Sequence, residues 1–425
     1  MNTNKKKKTL NINMPIGYSK SIHAWILLLS LFGSFMVASA SMKTFTTNNG
    51  LMFLIAKQMV FIIASYAGMV FFAKLFKWNW IRDKKIELIS IAFMIIFLLI
   101  PRLNTSQFIR TGAYNWIDFK YFTIQPSEFS KPFIMLLVAN ALGGLSIYPW
   151  MKDRAIMKKV SFLDRLKQLF KNIRTPLIAV IVMIAIIAVV QKDFGTAMII
   201  VLISASIFFL AQHPFLTQIQ RVLFVLFITI LGIGIFMMSP AGLEFLPKLG
   251  FKEFQINRIR SLYNLFDKTT MYNESMQQVR GLYAFARGGL FGVGFGKSIQ
   301  KYDYLPAAQT DYILAILVEE LGFVAFLIVT LGYVWIIFTL FKYAFKINYQ
   351  PSKLYLMGVA TYFFIHYLFN VGGTSAILPL TGVPLLLISS GGSSQLAVFI
   401  SIGIAQNLIA RYEQGRKKKE ALQKL

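Results

Sequence analysis

About ten separate apolar runs, each near the thickness of a bilayer, constrain this chain more than any other feature. They lie near residues 23–41, 52–74, 86–101, 128–147, 175–191, 194–211, 221–239, 311–341, 355–376 and 394–411. Runs of about 18 or more apolar residues are the signature of spanning helices, because a helix hydrogen-bonds its own backbone and needs no water. Hydrophobic residues make up 56% of the chain and charged ones 14%, more apolar surface than a water-soluble fold covers. The expected fold is therefore an all-α polytopic membrane protein with about ten transmembrane helices. With no cysteine, disulfides, thiolate metal sites and a cysteine nucleophile are excluded. The net charge of +27 would suggest nucleic acid in a soluble protein. In this context it is better read as basic loops held against anionic lipid.

The cations set an orientation. Clusters occur at Lys5–Lys8, at Lys74, Lys77, Arg82, Lys84 and Lys85, and from Lys152 through Arg174. Others follow at Lys342, Lys346 and Lys353 and at Arg416–Lys419. If ten helices alternate, every cluster falls on one side, and the positive-inside rule makes that side the cytoplasm, with both termini there. Residues 1–22 are then a cytoplasmic basic tail before a retained first helix, and 412–425 a second basic tail. The stretch 240–310 becomes a large extracellular loop between helices 7 and 8, too polar to span and too long for a mere connector. One membrane domain covers residues 1–425.

Several segments carry more chemistry than a spanning helix needs. Gly288, Gly289, Gly292, Gly294 and Gly296 fall within nine residues, permitting tight turns and close backbone approach. Their spacing is not that of a nucleotide loop, so they form either a packed structural loop or a backbone that closes on a substrate. Asp311 follows Pro306-Ala307-Ala308-Gln309-Thr310 and opens an apolar helix. A carboxylate there is favoured by the helix dipole alone. It also sits at the expected water–lipid boundary, where a general base would meet a lipid-linked substrate. Glu319 and Glu320 come about two turns later and need partners at such depth; Arg102, Arg110 and Lys131 are candidates. Glu128 and Lys131, three residues apart after Gln125-Pro126-Ser127, are spaced to pair on one helix face. Asp193 suits a helix N-cap. The segment from Pro379 to Ser394 is broken and rich in hydroxyls, and such backbone at membrane depth must be covered by protein or water. His23, His213 and His366 are scattered and make no metal cage.

Taken in order, these segments resemble the SEDS family of shape, elongation, division and sporulation proteins (FtsW/RodA/SpoVE). The resemblance rests on Gly112-Ala113 with Trp116-Ile117, Gln125-Pro126-Ser127-Glu128 with Lys131, and Asp193-Phe194-Gly195-Thr196-Ala197. It continues through Gly288 to Gly296, Ser298-Ile299-Gln300-Lys301, Leu305-Pro306, Thr310-Asp311 and Glu319-Glu320-Leu321-Gly322. It closes with Asn370-Val371-Gly372, Leu378-Pro379, Thr381-Gly382-Val383-Pro384 and Gly391-Gly392-Ser393-Ser394. The Ser-Ile-Gln-Lys element and the Leu-Pro after it look more like the FtsW/SpoVE branch than RodA.

The resemblance implies a peptidoglycan glycosyltransferase that joins lipid II disaccharides at the outer face of the bacterial plasma membrane and inverts the anomeric carbon. It places the catalytic aspartate on Asp311 and implies a divalent cation, magnesium or manganese. It also implies a class B penicillin-binding protein as transpeptidase partner, among division or elongation proteins. Substrate-binding candidates are Gln125, Glu128, Lys131, Ser393 and Ser394, with Arg258, Arg260, Arg280, Arg287, Lys297 and Lys301 as cations for a pyrophosphate leaving group. The chain departs from the family's pattern at Ala307 and Gln309, where glutamate and histidine are usual. It departs again at Asn115, Lys192, Leu386, Ser390 and His366. A lipid II flippase, which would depend more on Glu319 and Glu320, and an inactive division scaffold are the alternatives.

Overall fold

The computed structural model describes the chain except for residues 1–12, 43–47, 104–112, 120–121, 146–160, 251–255, 257–264, 267–274, 303, 307 and 424–425. The described residues are overwhelmingly helical. The main elements are α1 (Lys20–Ala40), α2 (Asn48–Leu75), α3 (Lys84–Leu99), α4 (Pro126–Gly143), α5 (Phe162–Ala185) and α6 (Phe194–Leu210). They continue with α7 (Leu216–Met238), α8 (Met276–Gly288), α9 (Ile313–Lys346), α10 (Gln350–Thr374) and α11 (Gly392–Leu422). Among the described residues, eight helices are long and apolar enough to cross a membrane. Two expected spans fall on helices outside that group: α6 is apolar but has 17 residues, and α4 opens with a polar turn.

Local chemistry sets the helix starts. Asp83 caps α3 by accepting from Lys85 N at 2.8 Å, and Asp193 caps α6 by accepting from Thr196 N at 3.0 Å. Proline opens α4 and α10, where its missing N–H costs nothing. The expected outward stretch before α4 contains one short antiparallel pair, β1 (Ile117–Asp118) with β2 (Thr123–Ile124). The tail placed at 412–425 is a continuation of α11 to Leu422.

Packing is centred on α10 and α11. The helix α10 touches α9, α4 and α6, while α11 lies along α2 and α4. Tyr355, Tyr362, Phe363 and Phe399 are fully buried there. By contrast, α7 leaves Val222 through Ile228 exposed, apolar all round, as suits a helix whose solvent is lipid. The start of α1 meets the middle of α11: Ser19 N donates to Gln406 Oε1 at 2.8 Å, and Gln406 Nε2 returns a bond to Ser19 O at 3.0 Å. Asp311 stands at the opposite end, before the first turn of α9.

At 34 residues, α9 would be about 51 Å long, well beyond a hydrocarbon core of about 30 Å. Gly322 resolves the mismatch. Its φ of 79° and ψ of 179° interrupt the helix and leave a short stub, Ile313–Leu321, above a membrane-length remainder. The backbone groups freed by the break are taken up by the glycine run. Val293 N donates to Glu319 O at 3.0 Å and Gly294 N to Glu320 O at 2.9 Å. In return, Phe323 N donates to Gly289 O at 2.9 Å and Val324 N to Leu290 O at 3.1 Å. A Cβ on Gly322 would overlap the Leu290 carbonyl, and one on Gly292 would overlap the Glu320 carbonyl. The glycines therefore serve close backbone contact at this clasp.

Candidate functional site

Asp311 lies at the wall of a cavity of about 510 Å³ between α4, α6 and the broken segment that follows α10. The lining includes Gln125, Glu128 and Lys131, then Asp193 and Thr196, and Thr381–Pro384 with Ser390, Gly391, Ser393 and Ser394. It also includes Asn115, Trp116 and Lys192.

Each wall is fixed by side chains reaching backbone. Asn370 Nδ2 donates to Asp311 O and to Val383 O, both at 2.9 Å, fastening the start of α9 to the broken segment. Ser389 Oγ donates to Thr310 O at 2.7 Å, and Ser390 N to Gln309 O at 2.9 Å. Gln309 in turn accepts from Ser41 Oγ at 2.6 Å, beyond the end of α1. On the facing wall, Gln125 N donates to Ser393 Oγ at 3.0 Å, and Gln125 Nε2 to Asp193 Oδ2 at 2.9 Å. Gly382 leaves open the space beside Asp311; a Cβ there would stand 3.5 Å from Asp311 Oδ2.

Glu128 and Lys131 form the expected pair, at 2.7 Å and almost wholly buried. Lys131 Nζ also lies 3.4 Å from His366 Nε2. His366 Nδ1 is 3.1 Å from Pro384 O, so Nδ1 carries the hydrogen and Nε2 accepts. The second oxygen of Glu128, Asn115 Oδ1 and Thr381 Oγ1 are buried without a partner. Unsatisfied polar atoms are costly inside a protein, and three on one cavity mark a surface made for a polar ligand. Burial pushes the Asp311 carboxyl up to about 6 from its ordinary 3.8. A carboxylate so tuned is ionised near neutral pH yet more basic than an exposed one, as suits a general base.

The other expected contacts are placed elsewhere. Glu319 and Glu320 do not meet Arg102 or Lys131. Glu319 pairs with Arg287, and Glu320 with Lys301 at 3.0 Å. Arg102 instead lies over the Tyr114 ring, while Arg110 lies outside the described residues. The clasp is complete: Ser298 Oγ and the N–H groups of Ile299 and Gln300 donate to Glu319. Ser39 Oγ and Ser298 N donate to Glu320. Lys301 is thus a buried structural cation, away from the cavity wall. Arg280 stacks over Tyr304 and Lys297 is exposed beside the clasp; neither lines the cavity. The reason is charge: Arg287 and Lys301 are taken up in offsetting the two buried carboxylates at the foot of the nine-residue stub, Ile313–Leu321. Arg258 and Arg260 lie outside the described residues.

Lys192 was not read from sequence as a residue of the cavity wall, where the structure places it. Its φ of 58° beside Asp193 only becomes visible in three dimensions. For the divalent cation, no cluster of three or more acidic or imidazole side chains occurs among the described residues. A magnesium ion that keeps its waters and binds through substrate phosphates needs only one or two carboxylates, and the unpartnered Glu128 oxygen offers one.

Comparison with known proteins follows the same architecture. Residues 19–414 match the sequence profile of the FtsW/RodA/SpoVE cell cycle proteins. The chain belongs to this family. Among its relatives, the probable peptidoglycan glycosyltransferase FtsW of Bacillus subtilis is 31% identical over 411 residues, 95% of this chain and 94% of the relative. Stage V sporulation protein E of the same organism is 28% identical over 390 residues, 91% of this chain and 95% of its own. Both belong to the branch that the Ser298–Lys301 element suggested. Solved family structures share the fold. A chain of a peptidoglycan synthase complex that coordinates polymerization and crosslinking superposes with a TM-score of 0.63 at 19% identity, covering 93% of this chain and 98% of that one. Thermus thermophilus RodA gives 0.52 at 18% identity, covering 93% and 97%.

Proposed function

We propose that this chain is a peptidoglycan glycosyltransferase that joins lipid II disaccharides into glycan strands, for cell division or cell-shape wall synthesis. One observation carries the reading: Asp311, with its raised proton affinity, faces a polar cavity whose buried acceptors lack partners. Asp311 accepts the proton of the acceptor's sugar hydroxyl as that oxygen attacks the anomeric carbon of the donor. The bond from that carbon to the phosphate oxygen breaks, and its electron pair leaves on undecaprenyl pyrophosphate. Attack opposite the leaving group inverts the anomeric carbon. When bound, a divalent cation would supply positive charge to the leaving phosphates, and the unpartnered oxygen of Glu128 would be available to hold it.

The Asp311 end is read as the outer one by the positive-inside rule, since the basic loops around residues 74–85 and 342–353 lie beside the C-terminal part of α11, away from Asp311. A class B penicillin-binding protein partners the chain, consistent with a structural relative from a synthase that couples polymerization to crosslinking.

The test supplies lipid II to the purified chain with its transpeptidase partner and measures glycan polymer. Asp311→Ala is expected to lower polymerisation by about a thousandfold while leaving the fold intact. Full polymerisation by that variant would overturn the assignment. Lipid II movement across vesicles without polymer would favour transport instead.

A further inference from the structure

The unpartnered atoms of the cavity differ in what they can bond. Asn115 Oδ1 and the second Glu128 oxygen can only accept a hydrogen bond, while Thr381 Oγ1 can accept or donate. All three residues line the cavity that Asp311 faces. The oxygens of an ionised diphosphate also only accept, so neither Asn115 Oδ1 nor the Glu128 oxygen can bond one directly. A sugar carries hydroxyls, which donate as well as accept. The Glu128 oxygen is charged and equally suited to a cation. Asn115 and Thr381 are neutral, and the partner that satisfies both is a neutral group rich in hydroxyls.

Their places along the wall follow from backbone contacts. Asn115 follows Tyr114, whose N–H donates to Gln191 O at 3.0 Å. This sets Asn115 beside the turn that leads into α6. On the other side of that turn, Gly195 lies against Thr381: a Cβ on Gly195 would stand 3.2 Å from Thr381 O. Gly382, next in the chain, borders Asp311 Oδ2. The order along the wall is therefore Asn115, the 191–195 turn, Thr381 and Asp311. Trp116 lines the same cavity beside Asn115. An indole offers a flat apolar surface on which the C–H face of a sugar ring packs. An aromatic side chain, two neutral polar atoms with unused capacity and a base at the end of the row suit a saccharide laid along it.

We propose that Asn115, Trp116 and Thr381 form the subsite that reads the saccharide presented to Asp311; this rests on the glycosyltransferase reading above. Asn115 Oδ1 accepts from a sugar hydroxyl, and Trp116 supports the ring. Thr381 Oγ1 bonds the part of the sugar nearer Asp311. The sugar itself, and not the diphosphate that tethers it to lipid, is recognised at this wall.

The test measures binding of two probes to the purified full chain with its partner in detergent. One is lipid II, which carries the saccharide; the other is undecaprenyl diphosphate, which lacks it. Asn115→Ala and Thr381→Val should each weaken lipid II binding by about tenfold, the scale of one lost hydrogen bond to a ligand. Both should bind undecaprenyl diphosphate within about twofold of the parent, since they remove nothing that a phosphate uses. Trp116→Ala should show the same selectivity, and Thr381→Ser, which keeps the hydroxyl, should bind lipid II as the parent does. Among the described residues neither Asn115 Oδ1 nor Thr381 Oγ1 has a bond to lose, so Asn115→Ala and Thr381→Val should melt close to the parent. Parent-like lipid II binding in these two variants would overturn the proposal. So would an equal loss of both probes or a marked fall in melting temperature, either of which would mean that the residues shape the cavity and do not read the sugar. A chain with this selectivity that makes no polymer would sink the function and leave the subsite standing. A polymerising chain whose variants bind lipid II as the parent does would sink the subsite alone.

Discussion

Two regions at the same end of this molecule bury carboxylates, and they treat them oppositely. In the clasp, every oxygen of Glu319 and Glu320 has a donor, and the Lys301 ammonium reaches Glu320, Ser39 and Gly296 O as well. In the cavity, Glu128 keeps one oxygen unpartnered, and Asp311 is raised by burial alone. Saturated acids hold structure together; acids with unused capacity are available to a ligand. The difference separates support from chemistry more sharply than burial does, since Glu320 and Glu128 are both buried.

Perturbing each region should give opposite signatures. The largest effect belongs to the cavity. If Asp311 is the base, its proton must be absent, so kcat/KM should fall about tenfold per pH unit below about 6 and level off above it. A flat profile through pH 5 would show that another group does the work.

The clasp should fail by unfolding. Glu320→Ala leaves the Lys301 ammonium buried and unpaired, a loss of about 3–5 kcal/mol in stability. The pair Glu320→Leu with Lys301→Met should lose far less than the two single changes combined. Thermal unfolding in detergent measures both, and additive losses would mean that the two residues do not act as a pair. A smaller loss is expected for Gly322→Ala, about 2–3 kcal/mol, from a left-handed φ and overlap with the Leu290 carbonyl.

The smallest effect has the reverse sign. Because the folded carboxyl binds its proton more tightly than the unfolded one, raising the pH from the ordinary 3.8 through about 6 costs stability. Asp311→Asn removes a charge that folding disfavours and should stabilise the chain by about 1–3 kcal/mol at pH 7.5, with no gain near pH 3. Equal melting of both proteins at pH 7.5 would place Asp311 in a wetter setting than the cavity suggests.

Much of the architecture could be read from the chain. The apolar runs located the helices, the Asp193 cap and the Glu128–Lys131 pair were visible in local spacing, and the broken stretch around Thr381–Pro384 announced a lined cavity. What spacing could not supply was partnership across the fold. Ser39 meets Glu320 over 281 positions, and Gln125 meets Ser393 over 268. Nothing local to Arg287 or Lys301 says that each is bound to an acid on α9 and not to a phosphate. For Lys192, the sequence shows a cation but not the φ that marks it. Asn370 and Ser41 were likewise missed as supports of the Asp311 segment, because an amide inside an apolar helix, or a hydroxyl just past one, gives no direction.

The break at Gly322 has a mechanical consequence. A continuous rod would carry every tilt of the membrane-length part of α9 up to its tip. Here the ladder is cut, and the stub bearing Asp311 is sewn to the 289–294 backbone, so it behaves as a separately mounted fitting. Thicker or thinner lipid should tilt the lower helix and leave the carboxylate where it is. Polymer yields in short-chain and long-chain bilayers should then agree, and a steep dependence on acyl length would mean that the joint transmits the tilt after all.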